Sequence, residues 1–117
     1  MTEELIKETR LTCQEYLPRL IQATSGIVYD IQSGNEAGAM SILPNVIDGL
    51  QWLVEAVQGI QQNGCNLSIT IASLTKHFEE LERALEVRDY VLTADLFEYE
   101  ITPTLEEWLK KVKLTEQ

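Results

Sequence analysis

His77 is the only histidine in the chain. It is the natural starting point for acid–base or metal chemistry, because imidazole titrates near neutrality and binds divalent metals. A di-metal carboxylate centre inside a helical bundle needs two Glu-x-x-His steps and two further inward glutamates. Here the step runs the other way, from His77 to Glu80, and no Glu-x-x-His occurs. The expectation is a partly exposed histidine beside Glu80 rather than a metal ligand. The two cysteines, Cys13 and Cys65, lie in no Cys-x-x-Cys or other ligand spacing. Two unpatterned thiols fit a reducing compartment. A serine or cysteine nucleophile needs a base, and nothing around Ser25, Ser33, Cys13 or Cys65 supplies one. No glycine-rich phosphate loop is present.

Carboxylates are the other candidates. Glu79-Glu80-Leu81-Glu82 is similar to the Glu-Glu-x-x-Glu array with which helical nucleotide pyrophosphatases hold magnesium, but Arg83 occupies the position of the third carboxylate. The stretch reads as a solvated helix face with local Glu–Arg pairing. The densest acidic feature is Asp95, Glu98 and Glu100 around Phe97 and Tyr99. Asp95 and Tyr99 are four residues apart and share a helix face. One reading is a site for a cationic group. The favoured reading is the acidic side of an amphipathic helix, with Tyr99 half-buried and Asp95 tying its hydroxyl or an adjacent helix. Two carboxylates make an acid–base pair only in a pocket that pushes their pKa values apart. The expectation is therefore no catalytic residue, no metal, no cofactor and no enzymatic activity. A metal-dependent enzyme built on Asp95 and Glu98 is the last alternative.

The tryptophans point elsewhere. Trp108 continues an apolar stripe and belongs to the core. Trp52 lies off the centre of its stripe, beside Asp48, Gly49, Glu55 and Ala56. A tryptophan among small neighbours suits a binding groove, because tryptophan is over-represented at interaction hot spots. It equally suits packing at the edge of a broad core face. The candidate partner-binding residues are Trp52, Gly49, Ala56, Asp95 and Tyr99.

Four helical segments must position these groups. The first runs from about Glu3 to about Gln32, capped by Thr2, with Ile6, Cys13, Leu17, Leu20, Ile27 and Ile31 on one face. Pro18 predicts a kink or a short leading helix. Ser33-Gly34-Asn35 is a helix stop. The second begins between Asn35 and Pro44 and ends near Gln62, with Leu43, Val46, Ile47, Leu50, Leu53, Val54, Val57 and Ile60 as its stripe. Pro44 suits a first turn, so the residues before it could form a separate turn. After Asn63-Gly64, Leu67-Ser68-Ile69-Thr70-Ile71 alternates like a strand. No second run exists to pair with it, so it is assigned to the start of a third helix, 68–87. That helix has a seam of Leu67, Ile71, Leu74, Phe78, Leu81 and Leu85. Asp89 caps a fourth helix from Tyr90 to about Lys113, striped by Ala94, Phe97, Ile101, Leu105, Trp108 and Val112. Leu92, Leu96 and Tyr99 widen that stripe, and Pro103 marks a bend or restart. Short connections make the expected fold an all-α, antiparallel up-down four-helix bundle, 1–117, with Pro-interrupted helices. It should be a rod about 30 to 45 Å long.

Composition narrows the partners. The 117 residues fit one domain, and 44% hydrophobic content supports a core. Nine basic against nineteen acidic residues give a net charge of −10. Nucleic acid and anionic membrane surfaces are disfavoured, because both are bound through clustered Lys and Arg. The acidic start, Thr2-Glu3-Glu4, leads into no apolar run long enough for a signal peptide or a membrane span. A cytoplasmic location is the expectation.

Size, acidity and helix order resemble the small helical export chaperones of bacteria, including the flagellin chaperone. The segment from Arg88-Asp89-Tyr90 to Phe97-Glu98-Tyr99-Glu100 resembles an ending found in small acidic bacterial helical-bundle proteins of unknown function. The resemblance implies a non-enzymatic protein-binding module, chaperone- or adaptor-like, holding a partner helix in an apolar groove. The alternative is a homodimeric structural protein whose remaining apolar faces meet across a two-fold axis.

Overall fold

In the computed structural model, residues 2–113 are described. Met1 and residues 114–117, which the single-domain assignment includes, lie outside the described residues. The described chain is helical with no strand. It measures 45 × 24 × 20 Å, and its length matches the rod expected from the longest helix.

Helix α1 spans Glu3–Gln32. The Thr2 hydroxyl caps it, accepting from the Leu5 N–H at 3.1 Å, and Glu3 and Glu4 sit at the positive end of its dipole. Cys13, Leu17, Leu20, Thr24, Ile27, Val28 and Ile31 are buried along one face, at steps close to the helical period. The helix is continuous through Pro18, so no short leading helix forms. Pro18 is exposed, which puts its ring and the missing donor on the solvent side, where water can serve the orphaned carbonyl. Helix α2 spans Glu36–Gln62 and is likewise continuous through Pro44, so the residues before Pro44 are helix rather than a separate turn.

Two glycines end these helices in the same way. Gly34 and Gly64 hold φ of 86° and 98°, the left-handed region that lacks a penalty only for glycine. After α1, Gly34 N–H donates to Ile31 and Asn35 N–H to Asp30; after α2, Gly64 N–H donates to Gln61 and Cys65 N–H to Ile60. Each ending thereby satisfies two orphan carbonyls. Asn35 then caps α2, accepting from Gly38 N–H at 3.1 Å.

The third segment departs from expectation. Residues 65–70 are neither helix nor strand, and helix resumes only as α3, Ala72–Thr75, and α4, Phe78–Glu86. Leu67 and Ile69 are buried while Ser68 and Thr70 are exposed, so the strand-like alternation is real. Its backbone partner is a side chain. The Gln61 amide accepts from the N–H groups of Leu67 (3.3 Å) and Ile69 (3.0 Å) and donates to the Ile69 carbonyl (3.0 Å).

Asp89 caps α5, Tyr90–Leu96, accepting from Leu92 N–H at 3.0 Å. A π-turn, Phe97–Ile101, leads into α6, Thr102–Val112. Pro103 lies in the first turn of α6, directly after the π-turn, and the helix runs on through the junction without a break. Trp108 is wholly buried and its indole N–H donates to the Ser73 hydroxyl at 3.1 Å. The core is one cluster drawn from all the arms. Each fully buried Leu, Ile or Val in it contributes about 1.5–3 kcal/mol of transfer free energy.

Candidate functional site

Helix α2 packs chiefly on α1, whereas α4 packs on α5 and α3. The facing sides of α2 and α4 leave a groove of about 370 Å³. Ile47, Leu50 and Gln51 line it from α2, and Phe78, Leu81, Glu82, Leu85 and Glu86 from α4. The five apolar residues have helical spacing because they belong to the stripes of their own helices. Leu50 and Leu81 form its floor, with 1% and 3% exposure, while Ile47, Phe78 and Leu85 are half-buried. The charged residues of the lining, Glu82 and Glu86, are exposed and lie one helical turn apart. The arrangement offers apolar contact and negative charge.

None of the five residues expected at a partner site lines this groove. Trp52 is 40% exposed and stands edge-on to Tyr16, with ring centroids 5.6 Å apart at 84°. Gly49 is buried under the Tyr16 ring, where an added Cβ would overlap the tyrosine hydroxyl. Gly49 therefore permits α1 and α2 to approach and does not form a surface pocket. Ala56 is also buried in the core. Trp52 thus caps the α1–α2 seam at its edge.

Asp95 and Tyr99 lie at a different place, in a shallow cleft of about 320 Å³ shared with His77, Glu80 and Glu100. Tyr99 is 67% exposed rather than half-buried. Phe97 and Ile101, four residues apart, are buried on one face, and Tyr99, two residues from each, falls on the opposite face. Glu98, and more weakly Asp95, hold the phenol above its usual pKa by their negative charge. His77 is nearly buried rather than partly exposed, and its Nε2 lies 3.7 Å from the Glu100 carboxylate. The ion pair on the outer face of α4 is the expected Glu–Arg type, Arg83 to Glu79 at 4.0 Å and well exposed. Such pairs are worth little. Among the described residues, no group of three or more His, Cys, Asp or Glu could hold a metal ion.

The opposite end carries a structural clamp. Arg10 donates through Nε to the Val112 carbonyl at 2.8 Å and through Nη2 to the Lys113 carbonyl at 3.1 Å. It thereby fastens the C-terminus of α6 to α1, where a cation also meets the negative end of the helix dipole. Its Nη1 approaches the Cys65 thiol at 3.6 Å.

The groove residues were visible in the sequence only as stripe and seam positions. Periodicity shows which face of a helix is apolar but not whether the opposing helix fills it.

An all-helical fold with an apolar groove and an acidic rim defines a class of small helical bundle rather than an activity. A family model described as a domain of unknown function (DUF8042) matches residues 8–111, and the chain belongs to that family. Comparison with curated proteins and with solved structures gives no match. Among the described residues, no helix is long and apolar enough to cross a membrane.

Proposed function

We propose that the chain is a non-enzymatic protein-binding module, chaperone- or adaptor-like, that takes the apolar face of a partner helix into the groove between α2 and α4. The observation that carries this reading is the groove lining, in which five of the eight residues are apolar and come from two helices. Helix-in-groove recognition needs this geometry: an apolar trough that accepts anchors spaced along one face of a helix. In this reading the bundle is up-down and antiparallel. Its support is the order of the pairs between α1 and the last arm, Gln32 with Glu98, Thr24 with Thr102 and Arg10 with Val112. A cytoplasmic bacterial setting accords with the two free cysteines.

The test fills the groove without unfolding the bundle. Gln51 is exposed on the groove wall, so Gln51→Trp adds bulk there at little expense to helix propensity. Affinity capture with both proteins, followed by reconstitution of each captured partner with the purified chain, should give a direct complex that Gln51→Trp loses at unchanged melting temperature. A partner bound equally by both proteins would remove the groove from the reading.

A second reading, self-association, has one observation in its favour. Val87 and Val91, four residues apart across the α4–α5 turn, are 73% and 72% exposed. Light scattering over a concentration series checks it, and a constant monomer mass would end it.

A further inference from the structure

We infer that the groove between α2 and α4 selects a basic amphipathic helix, about two turns long at the contact, whose Lys or Arg side chains flank its apolar anchors and meet Glu82 and Glu86. This rests on the groove being a protein-binding site, and goes further by specifying the chemistry of the occupant.

Length comes first. The α4 wall runs from Phe78 to Glu86, eight helical steps or about 12 Å. A partner helix lying along it engages about two turns, which present anchors at i, i+3 or i+4, and i+7. The walls are themselves helices, and their exposed surface here is side chain. An extended peptide would bring unpaired backbone N–H and C=O groups against Ile47, Leu50, Phe78, Leu81 and Leu85, which offer them no partner. A helix arrives with its backbone already satisfied.

Charge comes second. Each charged residue lining the groove is a glutamate, and neither Lys nor Arg lines it. Glu82 and Glu86 are four apart and exposed on the same wall, so basic residues one turn apart on the partner can meet both. The nearest cation on that helix, Arg83, faces Glu79 instead. The net charge of −10 extends the same bias over the whole molecule and favours encounter with a basic partner. A fatty acid or another anionic amphiphile of the same apolar bulk would set its carboxylate against two glutamates. A second copy of this acidic chain would meet the same repulsion.

The test is a display library of helical peptides of about 15 residues, long enough to sample helix in water. Apolar positions on one face are drawn from Leu, Ile, Met and Phe. Flanking positions are drawn evenly from Lys, Arg, Gln and Glu. Selection uses the full chain, with Gln51→Trp as counter-screen. The expected result is enrichment of Lys and Arg at the flanks. Affinity of the selected peptides should fall about three- to tenfold in the Glu82→Gln/Glu86→Gln double variant, with the difference shrinking at high salt. Enriched peptides that show no charge preference and ignore the double variant would overturn this inference and leave the protein-binding reading standing. A library that yields nothing over the Gln51→Trp counter-screen would overturn both.

Discussion

The side chain of Gln61 and the backbone of Ile69 form a closed pair: the amide oxygen accepts from Ile69 N–H at 3.0 Å and the amide nitrogen donates to Ile69 C=O at 3.0 Å. This is the hydrogen-bond pattern that a neighbouring strand would supply, delivered by one side chain at the end of α2. The same oxygen accepts from Leu67 N–H at 3.3 Å. Gln61 thereby allows Leu67 and Ile69 to enter the core from an irregular segment, in which Ser68 between them holds φ of 58° and no sheet is at hand. Removing the amide strands three partly buried backbone groups, each worth about 1–3 kcal/mol when left unpaired and drier than water. Gln61→Ala should destabilise the chain by about 2–4 kcal/mol in urea unfolding, part of the loss being recovered by water. Gln61→Glu keeps the acceptor but sets a carboxylate against the Ile69 carbonyl, and should fall between. Equal stability of all three proteins would show that the 65–70 segment is held by its side chains alone.

A side chain at Gly49 must push Tyr16 aside. A Cβ there overlaps the Tyr16 hydroxyl and lies 3.1 Å from the ring carbon that bears it, so Gly49→Ala must displace the tyrosine. Alanine would otherwise favour the helix by about 1 kcal/mol, which makes the sign of the effect diagnostic. The expected outcome is a net loss of about 1–2 kcal/mol, as for other overpacked sites. Trp52 reports it, because its edge contact with Tyr16 is lost when the ring moves. Trp108 is buried elsewhere, against α3, so a change in tryptophan emission that vanishes in Trp52→Phe locates the disturbance. An unchanged spectrum with raised stability would contradict the packing described.

These two sites show what the sequence could and could not convey. Caps and stops are local, so Thr2, Asn35 and Asp89 appear at the helix starts that their side chains suit, and Gly34 and Gly64 at the ends. In the third arm, Leu67, Ile71, Leu74, Phe78, Leu81 and Leu85 fit a helical seam at each step, while the competing alternation has no strand partner in the sequence. That partner is Gln61, and a side-chain amide leaves no periodic trace. The site was less legible still. Ile47, Leu50, Phe78, Leu81 and Leu85 look like any core stripe, and only the standoff between α2 and α4 makes them a groove. Trp52 and Gly49 have residue types that suit a binding groove, and in the structure they close the α1–α2 seam. Tyr99 is exposed because it lies two residues from each of the buried Phe97 and Ile101, a placement the helical period already gives.

Arg88 occupies a position built for glycine. Its φ is 57°, its N–H donates to Leu85 at 3.2 Å, and Asp89 N–H donates to Ala84 at 2.8 Å. This is the same helix ending that Gly34 and Gly64 make. A non-glycine residue in the left-handed region costs about 1–2 kcal/mol, and glycine gives back part of this through its freer unfolded chain. Arg88→Gly should raise stability by about 0.5–1 kcal/mol, read as a higher urea midpoint at unchanged slope. The converse controls are Gly34→Ala and Gly64→Ala. Nothing lies within 4 Å of a Cβ at either site, so any loss there is backbone strain alone. If Arg88→Gly lowered stability, the arginine side chain would be making a contact worth more than the strain.

Cys13 and Cys65 should behave as two different thiols. Cys13 is wholly buried on the inner face of α1, and burial pushes its thiol up from 9.0 to about 11. Cys65 is partly exposed beside Arg10. At pH 8 a thiol reagent should therefore label Cys65 promptly and Cys13 only as fast as the bundle opens. The same burial gives stability a pH dependence whose sign is fixed. The folded state holds the Cys13 proton more tightly than the unfolded chain, so its contribution is complete below pH 9 and declines as pH rises toward 11. The decline is about 1.4 kcal/mol per pH unit across that window. Lysines and tyrosines titrate in the same range, so the measurement is a difference between two proteins. Cys13→Ala is less stable at neutral pH because of the cavity it leaves, but its stability should fall less steeply than the wild type between pH 9 and 11. Parallel profiles would mean that the Cys13 thiol reaches solvent far more readily than its burial implies.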